Sequence, residues 1–174
     1  YDGAWGENVN GIKKGDKIIV NAEAALKVAE TEVKKISDTN IRTVQQNRIK
    51  DIKLVLAAMK AVDKAENTLP QKMTYVTSAT SAINKIISIE YNAVKEVLLN
   101  RINEVKKSIL ASELLAKAEK AVVKAEKSLK EADIAAAITA VLSLDDSEAK
   151  KSLNLRNTVS GKMLEIEKSL TKYL

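Results

Sequence analysis

The 174-residue chain has no cysteine, no histidine and no phenylalanine, and it has a single proline. Without cysteine or histidine it can form no disulfide frame and no structural zinc site, and it has no thiolate nucleophile and no imidazole base. Only carboxylates, lysine, serine, threonine and tyrosine remain for chemistry, so no catalytic residue, metal ligand or cofactor is expected. Aromatic residues make up 3% of the chain, which leaves little for stacking on bases. No apolar run approaches the roughly 18 residues of a membrane span.

Net charge is +6, yet the charges are mixed. Residues 1–70 carry 12 basic and 10 acidic groups, 71–112 carry 6 and 3, and 113–174 carry 11 and 10. Nucleic-acid binding needs clustered cations, usually with arginine or aromatics, so no nucleic-acid partner is expected. Nearly every acid has a lysine three or four residues away, the spacing of exposed helical pairs. Di-iron bundles need Glu-x-x-His on facing helices, which this chain lacks. The reading is of a non-enzyme.

A chain that starts at Tyr1 rather than methionine is either a processed mature chain or a trimmed one. The first case implies a removed export signal and a secreted protein. Four of five glycines (Gly3, Gly6, Gly11, Gly15) and Trp5 fall in residues 1–16, which reads as an irregular arm. Residues 17–174 read as one all-α domain, because good helix formers dominate and apolar residues recur at steps of three and four.

Five helices can be drawn, over about 17–37, 40–67, 70–111, 113–142 and 148–173. The breaks are the capping cluster Ser37–Asn40, the segment Asn67–Pro70, the Ser112–Glu113 step and the polar run Ser143–Glu148. Pro70 suits the first turn of the third helix, and Ser160–Gly161 is a weak point of the fifth. A third helix of about 40 residues would span roughly 60 Å at 1.5 Å per residue and form a central spine.

Seam arithmetic supports an up-and-down antiparallel bundle. Around a tight turn, facing residues have numbers that add to twice the turn centre. Helices two and three match at 138 (Val62 with Val76, Met59 with Ala79, Val55 with Ile83, Val44 with Val94). Helices one and two match at 77 (Val33 with Val44, Ala22 with Val55, Ile18 with Met59). Helices four and five match at 288 (Ala118 with Leu170, Val122 with Ile166, Ala125 with Met163, Leu129 with Val159). The short turns favour a closed monomer. Lys60–Leu69 and Lys120–Leu129 match at seven of ten positions, a likeness that composition alone can produce.

Two clusters stand out. Arg48 and Glu90 fall on facing seams, which predicts a partly buried structural ion pair. Thr77, Ser81 and Tyr91 belong to a hydroxyl-rich stretch of the third helix that either bends it by back-bonding or lines a polar pocket. For function, the expectation is a module that binds a partner protein. A carrier of lipid or a small hydrophobic ligand is the alternative, and a structural assembly protein the second. Small branched seams of alanine, valine and isoleucine pack rigidly and favour the first.

Overall fold

The computed structural model describes residues 8–9 and 12–172. Trp5 and most of the arm expected over residues 1–16 lie outside the described residues. Two short strands, β1 (Asn8–Val9) and β2 (Ile12–Lys13), pair antiparallel. Six α-helices follow among the described residues: α1 (Lys14–Val33), α2 (Thr39–Asn67), α3 (Met73–Asn84), α4 (Asn92–Ser128), α5 (Glu131–Leu142) and α6 (Glu148–Leu170). A 3-10 turn, Ile89–Tyr91, precedes α4. The all-α class holds, while the five-helix division does not. Packing divides the chain into two units, Tyr1–Lys106 and Lys107–Leu174, where the sequence suggests one, and the division falls inside α4.

Capping chemistry sets several boundaries. The Asp38 carboxylate accepts the Ile41 amide at 3.0 Å and opens α2, and the Ser147 hydroxyl accepts the Lys150 amide at 3.2 Å and opens α6. Both caps fall where the polar clusters predict them. Pro70 does not enter a helix. It follows a cis peptide bond in the turn, and α3 begins at Met73.

The expected third helix breaks early. The Thr77, Ser78 and Thr80 hydroxyls donate to carbonyls four residues back at 2.9–3.1 Å. A stretch so rich in hydroxyls and β-branches propagates a helix poorly, and α3 stops at Asn84. Lys95 then donates to the Ile86 carbonyl at 2.9 Å and satisfies the turn that follows.

The expected break at Ser112–Glu113 is absent, because Ser112 donates back to the Ser108 carbonyl at 2.9 Å instead of capping a new helix. α4 ends instead at Leu129, whose φ of 48° lies in the left-handed region, with its amide donating to the Ala125 carbonyl at 2.9 Å. Glycine normally fills such a terminus. Leu129→Gly is therefore expected to raise stability by about 1 kcal/mol, read by urea denaturation. A loss of stability instead would show that the Leu129 side chain, rather than its backbone, holds the turn.

In the first unit, Val55, Met59 and Val62 of α2 and Val76, Ala79 and Ile83 of α3 are buried, as the 138 arithmetic requires up to the end of α3. The α1–α2 register differs from the expected one. Glu23 pairs with Lys60 and Glu30 with Lys53, so facing numbers add to 83 rather than 77. The inward residue of α1 is Ile19, not Ile18, and Ile41 and Val44 are left exposed. The physical reason is the five-residue connection 34–38, which leaves α1 at Val33 and meets α2 at Asp38. It is long enough to climb alongside the first turns of α2, where a tight turn would have set the expected register.

In the second unit, Ala118, Val122 and Ala125 of α4 form a cluster with Ile134, Ala137 and Val141 of α5, Leu144, and Leu153 of α6. The left-handed turn at Leu129 folds α5 back, so α5 shares with α6 the α4 seam that the 288 arithmetic had given to the last helix alone.

Candidate functional site

Sharing that core with α5, α6 packs a face other than the expected one. Leu153, Asn157 and Ser160 are buried, and Leu164 lies against the core. Half of this inward face is polar. Asn157 Nδ2 donates to the Ile134 carbonyl at 3.3 Å, while its Oδ1 is buried with no hydrogen-bond partner among the described residues. Ser160 donates to the Arg156 carbonyl at 3.2 Å. At 100° per residue the expected seam residues fall about 120° around the helix from this buried face. There Val159, Met163, Ile166 and Leu170 are 54%, 45%, 52% and 61% exposed, in the 4-3-4 spacing of a packing seam. Leu155, one turn earlier, is exposed as well. α6 runs unbroken through Gly161, where an added Cβ would meet nothing within 4 Å.

Charged groups border this stripe. Arg156 donates through Nε and Nη2 to both oxygens of Glu126 at 2.7 and 2.6 Å, Lys168 reaches Glu131 at 3.1 Å, and Lys162 reaches Glu165 at 3.5 Å. Glu167 makes no ion pair among the described residues. The bidentate Arg156 hydrogen bonds hold the Glu126 carboxyl below its ordinary value. Lys124 and the Ser128 hydroxyl do the same for Asp133 at the α4–α5 turn.

A carboxylate depressed in the folded state contributes stability above its unfolded pKa, and that contribution is lost as pH falls through the folded one. Stability is therefore expected to decline below about pH 4, and Asp133→Asn to flatten that acid limb while lowering stability at neutral pH. Urea midpoints measured across pH test this, and an unchanged acid limb in the variant would refute it.

Arg48 and Glu90 are both exposed and form no ion pair with each other among the described residues. Their seam ends with α3. Both act on Tyr91, whose phenol is pushed up by burial first and by Glu90 and Asp51 after it, with Arg48 opposing. Thr77 and Ser81 do share a groove of 490 Å³, lined also by Asn84, Asn103 and Lys106, and Tyr91 is not part of it.

The buried ion cluster lies elsewhere. Arg101 of α4, whose side chain is 14% exposed, donates through Nε to Glu66 Oε1 at 2.9 Å and through Nη2 to Asp63 Oδ1 at 2.6 Å. Nη2 also donates to Glu66 Oε2. Burial lowers the Arg101 pKa, and the hydrogen bonds to Glu66 and Asp63 more than offset it, leaving a net upward shift. The available signal was arginine itself: four arginines stand among 25 lysines, and a buried two-carboxylate site requires the guanidinium fork.

No group of three or more potential metal-ligating side chains occurs among the described residues. No helix among them is long and apolar enough to cross a membrane. The chain matches no protein-family model, no curated protein and no solved structure.

Proposed function

We propose that this chain is a non-enzymatic interaction module that binds a partner protein through the outward stripe of α6. The reading is carried by the rotation of that helix by about 120° from its expected facing, which buries Asn157 and Ser160 and leaves Val159, Met163, Ile166 and Leu170 about half exposed. A contiguous apolar stripe on a surface helix marks an interaction site, and heptad-type spacing suits a second amphipathic helix lying along it. The lack of histidine and cysteine supports the non-enzymatic half of the reading.

A carrier of lipid or a small hydrophobic molecule needs an enclosing apolar volume. The grooves beside Ile19 and beside Thr77 are 490 Å³ each and carry lysine and asparagine side chains in their walls, joined by Glu23 and Asp63 in the first, which favours the module over the carrier.

The test is the double variant Val159→Glu, Ile166→Glu in the full chain. Its circular dichroism and urea midpoint should match the parent, because neither residue packs in the core, while cross-linked capture of helical partner proteins should be lost. Capture that survives the substitutions would overturn the assignment of the stripe. So would sedimentation of the parent, and not of the variant, with anionic vesicles in the absence of any protein partner, which would make α6 a lipid-surface helix.

A further inference from the structure

We infer that the occupant of the α6 stripe is a second copy of this same chain, lying parallel to the first. The inference rests on the interaction reading above and adds the identity and direction of the partner.

The stripe forms two heptads, with Val159 and Ile166 at d and Met163 and Leu170 at a. In that frame Lys162 is a g residue and Glu167 the following e residue. The two lie on opposite flanks of the exposed seam. In a parallel pairing of identical helices, the g residue of one chain meets the e residue five positions later on the other. Lys162 then faces Glu167 of the second copy, and the contact occurs twice by symmetry.

An antiparallel pairing instead sets g against g and e against e. Lys162 then meets Ser169 and Glu167 meets Ser160, with no charge pair formed. Both groups are available for the parallel contact. Glu167 makes no ion pair among the described residues, and Lys162 is held only by Glu165 at 3.5 Å, with both side chains exposed.

The layers also match in a parallel alignment, valine on valine and isoleucine on isoleucine. The buried face of α6 lies about 120° around the helix from the stripe, with Ser160 at the e flank covered by the core and the seam itself left about half exposed. The pairing is short. The next a position is Arg156, which Glu126 holds within its own chain.

The inference replaces the monomer expected from short turns, and it predicts that the 19.0-kDa chain self-associates reversibly. Sedimentation equilibrium of the full chain over a wide range of loading concentrations should give a mass that rises above the monomer. Lys162→Glu and Glu167→Lys should each weaken association by about tenfold, since each turns attraction into repulsion at every symmetric contact. The double variant should restore it, and circular dichroism should show all three variants folded.

A chain that stays monomeric at every concentration overturns the inference. If the parent still captures a partner that the Val159→Glu, Ile166→Glu variant loses, the interaction module stands without it. Association that the double variant fails to restore also overturns the parallel pairing.

Discussion

Replacing Arg101 with methionine is expected to destabilise the protein by about 3–5 kcal/mol. The guanidinium pairs with two carboxylates on consecutive turns of α2, Asp63 and Glu66, and the Asp63 side chain is only 12% exposed. Methionine fills a similar space, so the loss would come from charge left in a poorly hydrated place rather than from a void. Changing all three members together, Arg101→Met with Asp63→Leu and Glu66→Met, should recover most of the loss, because a well-packed apolar set can match a buried ion cluster. Urea unfolding followed by circular dichroism measures both. A single variant within 0.5 kcal/mol of the parent, roughly the range of ordinary surface substitutions, would show that the cluster is better hydrated than its burial indicates.

Ile83→Ala should cost about 2–5 kcal/mol, since the side chain is 0% exposed between α3 and α2 and its removal leaves a cavity. Ile87→Ala, four residues later and 82% exposed, should change stability by no more than about 0.5 kcal/mol. In an unbroken helix these two positions would share a face and behave alike. The contrast therefore measures where α3 ends, and equal losses at both sites would mean that the helix continues past Asn84.

Where residue chemistry is local, the sequence was readable. Asp38 and Ser147 cap helices where polar clusters stand, and the Asn67–Pro70 segment ends α2 as expected. The α2–α3 seam was legible because the turn at 68–72 is short and both helices keep their period. Ser112 was not, since the same hydroxyl that can cap a helix can also bond back within one, and the choice depends on what packs around it. Leu129 gave no warning, because leucine in a left-handed terminus contradicts its own propensity.

That one residue then redirected the second unit. Once α5 shares the α4 seam, the periodic stripe of α6 still exists but is left about half exposed among the described residues. Heptad spacing reports that a face is suited to burial and does not say by what. The Arg48–Glu90 pair failed for a related reason, as its arithmetic assumed that α3 reached Glu90. The cluster around Arg101 escaped notice because it joins residues 35 and 38 apart in sequence, a separation that no local pattern encodes.

The joint between α4 and α5 is only two residues long, Leu129 and Lys130. A helix turns by 100° for each residue added, so one extra amino acid at that joint would rotate Ile134, Ala137 and Val141 away from the centre of the unit. The link before α6, 143–147, is anchored by buried Leu144 and by the Ser147 cap, and its slack lies in exposed Asp145 and Asp146 between them. Length variation in this half of the molecule is therefore confined to one loop, while the other must keep its count.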